Sequence, residues 1–212
     1  KDGESWLKAC KTIIPCPIGL RKELNRLISR EIKHARSGKH ASILLKLNSL
    51  SDEKLIEKLK DAARSGVEIK MVIRGICCML TENPKFKIPI QAVSIVDQYL
   101  EHARVFIFHN NGSEKVFISS ADWMVRNIDH RVEATCPILD PGIKKVLKNI
   151  LEIQLNDNVK ARILNNDLQN RYVREKGKKK IRSQVEIYQF LQQEGSEKQS
   201  LELDGELLLL SA

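Results

Sequence analysis

The sequence predicts an α/β domain, a mixed β-sheet flanked by helices, on three observations. Two nearly continuous apolar runs, Ala41 to Leu47 and Val67 to Ile73, have the character of strands buried on both faces. A segment of helical period lies between them, so strand, helix and strand make a right-handed βαβ unit with parallel strands. Shorter strand-like runs at Val105–Phe108 and Val116–Ile118 flank Asn110-Asn111-Gly112, the pattern of an antiparallel hairpin.

The remaining elements follow in chain order. Residues 18–36 place Leu20, Leu24, Leu27, Ile28, Ile32 and Ala35 on one helical face, and Gly38 ends the run. Ser51 is the predicted N-cap of the helix inside the βαβ unit, with Asp52 and Glu53 at the positive end of its dipole. Its buried stripe is Leu55, Leu59, Ala62 and Ala63, and Ser65-Gly66 stops it. Thr81 to Pro89 bears proline and lysine without a period, which reads as an excursion or a lid loop. Val132 to Ile138 is a further strand, closed by Asp140-Pro141-Gly142. An amphipathic helix through Ile143, Val146, Leu147, Ile150 and Leu151 comes next, then a short strand at Val159–Leu164. Residues 174–182 form a basic linker, 184–193 a terminal helix, and 194–212 a tail that ends as a strand or in disorder. Residues 1–193 are thus one folded unit.

Composition narrows the chemistry. The chain has 212 residues, enough for one sizeable domain, and carries a formal charge of +9. That charge attracts polyanions without choosing among nucleic acid, nucleotides, polyphosphate and anionic lipid. Aromatic residues make up only 5%, which argues against a base-stacking platform and so against nucleic acid. Five cysteines, Cys77 and Cys78 adjacent and none spaced Cys-x-x-Cys, read as reduced thiols of a cytoplasmic protein; no metal ligand set is predicted. Leu207 to Leu210 is too short to cross a membrane, and a start at Lys1 suggests a piece of a longer protein.

Open α/β sheets gather ligands at the carboxyl ends of their strands, and here those ends are polar. Lys46 and Asn48 close one strand, Arg74 the next, and Ser119, Ser120 and Asp122 the second arm of the hairpin. His102 and Arg104 open the first arm, and Arg126 and Arg131 follow the second. Each residue alone is also accounted for as a polar strand end meeting water. Together they offer one titratable imidazole, fixed cations and small hydroxyls, which suits a tetrahedral phosphoryl group. The other histidines have plainer readings: His34 and His40 solvated, His109 exposed beside a turn, and His130 enclosed between Asp129 and Arg131 in sequence.

The runs LEHARVFIF, VFISSADWMVRN and DHRVEATCPILDP closely resemble the carboxyl-terminal catalytic domain of bacterial polyphosphate kinases. PIGLRKEL, LLKLNSLSD, VIRGICCM and SIVDQYLEHAR match in the same order, so the resemblance covers about residues 12 to 193. It implies a phospholipase-D-like fold and reversible transfer of the ATP γ-phosphate to polyphosphate through a phosphohistidine. It places that nucleophile in a preceding domain absent from this chain, so the fragment alone is expected to be inactive. His102 matches the family's second active-site histidine, which binds ATP and assists proton transfer. Arg74 matches an ATP-binding arginine, and Arg131 a further phosphate-contacting one. Lys46, Asn48, Arg104, Ser119, Ser120 and Arg126 are candidate phosphate contacts. Mg²⁺ is expected to accompany ATP, with its ligands outside this chain. The implied partners are ATP or ADP, polyphosphate and the remaining domains of a homo-oligomeric enzyme, cytoplasmic and able to associate with membranes.

Two other readings stand beside this one. Phosphodiesterases of the phospholipase D type use His-x-Lys followed by an aspartate and a Gly-Ser-x-Asn element. The nearest equivalent here is His102-Ala-Arg104 with Ser119-Ser120-Ala-Asp122, in a single copy. A non-catalytic polyanion-binding module rests on charge alone.

Overall fold

The computed structural model describes residues 10–174 and 177–195. An eight-stranded mixed sheet forms the middle layer, in the order β1-β7-β6-β5-β2-β3-β4-β8. The strands are β1 (Ile14–Pro15), β2 (Ser42–Leu47), β3 (Glu68–Ile73), β4 (Gln91–Ile95), β5 (Val105–Phe108), β6 (Lys115–Ser119), β7 (Ala134–Ile138) and β8 (Ala161–Ile163). Helices α1 (Leu20–Arg36) and α2 (Glu53–Ser65) cover one face and α3 (Pro141–Leu155) the other, with a terminal helix at 183–195.

The βαβ unit forms as its pattern requires. β2 and β3 pair in parallel from Ser42↔Glu68 to Leu47↔Ile73. Ile43, Leu45 and Leu47 point toward α1 and α2, while Leu44 packs on the α3 side, so both strand faces are buried. The N-cap of α2 is Asp52, one residue beyond the predicted Ser51: its carboxylate accepts from the Leu55 amide at 3.0 Å. The Arg21 guanidinium holds that carboxylate at 2.6 Å and Asp129 at 2.6 Å, an anchor that a serine lacks. Gly66 ends α2 at φ +96°, where a side chain would be strained.

The hairpin β5–β6 joins β2 through β5 with antiparallel pairing. Its turn needs left-handed backbone at Asn110 (φ 48°) and Asn111 (φ 55°), which asparagine tolerates better than most residues. Glu31 is buried beneath it and accepts from the amides of Ser42 (3.2 Å) and Asn110 (2.6 Å), locking α1 to the hairpin.

Thr81–Pro89 belongs to the crossover from β3 to β4. Because those strands are parallel, the chain must return to the opposite end of the sheet. The Lys87 amide bonds the Ala63 carbonyl near the end of α2, and Thr81 is tied to Leu164 and Asn166. The excursion reading therefore holds, and this segment lies away from the strand ends that carry Arg74. Strands β1 and β4 were not expected, and the strand of residues 132–138 begins at Ala134. The basic run is tethered rather than free: Ile181 and Lys179 bond Asn158, and Arg182 bonds Asp97. The predicted tail, 194–212, starts inside the terminal helix, which continues to 195; residues 196–212 lie outside the described residues.

Two histidines differ from expectation. His34 and His109 are half-buried, each with an enclosed Nδ1 that has no partner among the described residues, and the His109 ring meets His40 edge-on at 4.5 Å. None of the five cysteines is in a disulfide. No described helix is long and apolar enough to cross a membrane.

Candidate active site

Strand direction assembles the site. β2 and β3 run toward one edge of the sheet and β5 starts from that same edge, so Asn48, Arg74 and the 101–104 segment meet there. β6 runs toward this edge as well, adding Ser119 to Asp122. The loops leaving β2, β3 and β6 continue as a small ladder. Leu50 donates to Ile76 (2.8 Å), Cys78 donates to Leu50 (2.9 Å), and Ser51 donates to Trp123 (2.9 Å). Gly75 is needed in it: its amide reaches the Asn48 carbonyl at 2.8 Å, and an added Cβ would stand 3.0 Å from that oxygen.

At this edge Arg74 Nη2 lies 3.4 Å from His102 Nδ1. A guanidinium can only donate, so the contact requires an unprotonated Nδ1 and leaves the ring proton of neutral His102 on Nε2. His102 is exposed, and Nε2 has no partner among the described residues. Arg74 Nε is enclosed and has no hydrogen-bond partner among the described residues. The structure thus brings these two predicted residues together.

Arg104 is committed otherwise. Its Nη1 donates to the His102 carbonyl (3.0 Å) and its Nη2 to Asp122 Oδ2 (2.8 Å). Asp122 Oδ1 in turn accepts from the amides of Asn48 (2.8 Å) and Ser49 (2.9 Å). Asp122 therefore joins the end of β2 to the backbone that carries His102. Burial pushes its carboxyl up, but the Arg104 contact and the two amides outweigh that and hold it below the usual range.

Lys46, predicted to meet phosphate, is turned to the α3 face by the alternation of β2. Only 2% of its side chain is exposed, and its ammonium pairs with Glu101 at 2.9 Å. Asn48 keeps its side-chain amide near Ser49 and Asp122. Ser119 bonds Thr135 (2.7 Å) and Ser120 bonds Glu133, so both hydroxyls link β6 to β7. Glu133 also accepts from Asn127 at 2.7 Å. Arg126 and Arg131 are exposed and have no partner among the described residues; no hydrogen bond joins Arg131 to Arg74 or His102. Glu101 and Glu133 were not singled out from the sequence, and Asp122 was named only as a polar strand end, without its brace to Arg104 and the β2 amides; the place of Glu101 beside His102 was a usable signal.

These carboxylates do not fit a magnesium ion. Glu101, Asp122 and Glu133 each already accept from protein donors, and no cluster of metal-binding side chains occurs among the described residues. Cys77 beside the site is not primed as a nucleophile, since burial pushes its thiol up.

Acid sensitivity follows from the fold. Burial raises Asp52, Asp122 and Asp157, yet Arg21, Arg104 and backbone amides respectively hold them below the ordinary range; Arg182 does the same for Asp97. A carboxyl lowered in the folded state adds stability above its unfolded value, about 4 for aspartate, and loses it as pH falls through the native value. Thermal melts followed by circular dichroism should therefore be stable near neutrality and fall below about pH 4. An unchanged midpoint down to about pH 2 would contradict this assignment.

Comparison with known proteins locates this arrangement. The family model described as polyphosphate kinase C-terminal domain 2 matches residues 13–184. A polyphosphate kinase from Vibrio vulnificus (strain YJ016) is 48% identical over 179 residues, 84% of this chain and 26% of the relative. That of Escherichia coli (strain K12) is 43% identical over 175 residues, 82% of this chain and 25% of the relative. The crystal structure of polyphosphate kinase from Porphyromonas gingivalis superposes with a TM-score of 0.84 at 41% identity, covering 87% of this chain and 28% of that one. The phospholipase D family member Nuc from Salmonella typhimurium shares the fold at a TM-score of 0.50 and 17% identity, over 73% of this chain and 97% of its own. The chain spans about a quarter of the length of the curated relatives it matches.

Proposed function

The chain belongs to the polyphosphate kinase family as its carboxyl-terminal domain 2, and from that premise we propose that it supplies the nucleotide-binding half of a phosphotransferase site. The reaction is reversible transfer of the ATP γ-phosphate to polyphosphate through a phosphohistidine in a preceding domain. The carrying observation is the 3.4 Å approach of Arg74 to His102 at the open sheet edge. Arg74 meets a nucleotide phosphate oxygen with its charged fork. His102 in its neutral form offers Nε2–H as a hydrogen bond to the oxygen that gains charge as the phosphoryl group leaves. As an imidazolium, with Nδ1 also protonated and turned off Arg74, it passes the Nε2 proton to that oxygen and returns to the neutral ring. Arg131 and Arg126, exposed and uncommitted, are the remaining cations that can turn to the polyanion. Mg²⁺ travels with the nucleotide and is held outside this chain.

The Arg104 geometry weighs against phosphodiester hydrolysis of the phospholipase D type. The cation two places after the histidine is clamped on Asp122 and the His102 carbonyl, where it is unavailable to a diester. A competition series with ATP, polyphosphate and duplex DNA at rising salt separates the readings. ATP and polyphosphate are expected to compete for one site, while DNA affinity vanishes with salt. Equal salt loss for all three would favour a mere polyanion module, and cleavage of a generic diester would favour hydrolysis. Polymer synthesis by this chain alone would overturn the claim that its nucleophile lies elsewhere.

A further inference from the structure

The loop that delivers His102 is gripped by the far end of the chain. Gln184, at the start of the terminal helix, accepts from the Tyr99 amide (3.0 Å) and donates to the Tyr99 carbonyl (2.8 Å). It also donates to Glu101 Oε1 at 3.1 Å. Glu101 is the residue before His102, and its other oxygen receives Lys46 of β2 and Gln154 of α3. One residue before Gln184, the Ser183 amide is held by Asp157 at 2.8 Å. Arg182 closes a two-bonded pair on Asp97 at 2.7 and 2.8 Å. The loop itself is otherwise open, with Val96, Tyr99 and Leu100 each more than two-thirds exposed or close to it, at 69%, 67% and 74%. Packing therefore does little to fix it, and polar bonds set its path.

We propose that Gln184 is a positioning residue for His102: by bonding both backbone groups of Tyr99 and the carboxylate of Glu101, it fixes the loop that holds the imidazole against Arg74. This rests on the reading of His102 as a proton carrier and adds an element that acts on it from 82 residues downstream in sequence. A side-chain amide suits the task because it can accept and donate at once, matching an amide, a carbonyl and a carboxylate together. No apolar or single-function side chain meets all three. Misplacing a proton carrier by about 1 Å can cost on the order of 100-fold in rate, so a loosened loop is expressed in turnover before it is expressed in folding.

The test uses the full-length polyphosphate kinase that contains this domain, with Gln184→Ala and Gln184→Leu, and Tyr188→Ala as the control on the exposed side of the same helix. Leucine keeps most of the side-chain bulk, so loss of packing and loss of hydrogen bonds are separated. Both Gln184 variants should lower kcat about 10- to 100-fold with KM for ATP changed less than about threefold. In both, the imidazole resonances of isotope-labelled His102 should move toward those of an Arg74→Ala variant, while the melting temperature follows that of Tyr188→Ala. Turnover near wild type in Gln184→Leu, or His102 resonances unchanged in it, would overturn the proposal. Activity lost only in Gln184→Ala would assign Gln184 to packing and equally overturn it. Normal turnover in His102→Ala would instead remove the reading beneath it, so the two failures are distinct.

Discussion

Replacing His102 by alanine in the intact enzyme is expected to lower turnover by about 10²- to 10⁴-fold while leaving the fold almost unaltered. The imidazole is exposed, and among the described residues its one polar contact is the 3.4 Å approach of Arg74. Surface substitutions of this kind shift stability by about 0.5 kcal/mol or less. The Arg104 brace bonds the carbonyl of residue 102 rather than its ring, so alanine leaves the main chain held. A steady-state assay of ATP formation and consumption, paired with thermal melts, checks both halves. Undiminished turnover would take His102 out of the mechanism, and a large drop in melting temperature would make it a structural residue instead.

Asp122→Ala is expected to have the largest effect on stability, about 3–5 kcal/mol of destabilisation. The carboxylate is buried and receives the Arg104 guanidinium together with the amides of Asn48 and Ser49. Alanine leaves a guanidinium with 12% of its side chain exposed, without its counter-charge and with an Nε that already has no partner among the described residues. Asp122→Asn retains an acceptor for the two amides and should cost less, about 1–3 kcal/mol. Urea unfolding of the three proteins orders them. A midpoint for Asp122→Ala equal to wild type would show that the aspartate is not the joint between β2 and the His102 segment.

Much of the fold was legible because burial on both faces leaves a simple mark. Ala41 to Leu47 and Val67 to Ile73 could hardly be anything but central strands, and they occupy the middle of the sheet. The hairpin was legible from Asn110-Asn111-Gly112, whose left-handed turn few other residues accept. β4 was hidden because Gln91–Ile95 is short and follows a proline- and lysine-bearing stretch, and β1 because two residues carry no period. The α2 cap was missed by one residue because Ser51 and Asp52 suit the position equally by type; only the long-range pair with Arg21 decides it.

The site was legible in a different way. Arg74 and His102 were singled out by motif and meet in space. Lys46 was placed among the phosphate contacts because it is a cation at a strand end, but Glu101 lies 55 residues away and no local pattern announces the pair. The same holds for Arg104 with Asp122 and for Gln184 with Tyr99: side-chain type states what a residue can bond, while topology states what it finds. Ser119 and Ser120 show the reverse case, small hydroxyls at a strand end that serve the β6–β7 junction.

The miniature ladder through Leu50, Cys78 and Trp123 has one more consequence. Loops stitched to one another in this way have little freedom left to surrender when an anion arrives. The entropy of arranging Asn48 and the Arg74 backbone is spent during folding, so an anion would meet a surface that is already shaped. On the proposed reading, enclosure of a bound phosphate is expected to come from a second body closing on this edge, while the edge itself holds still.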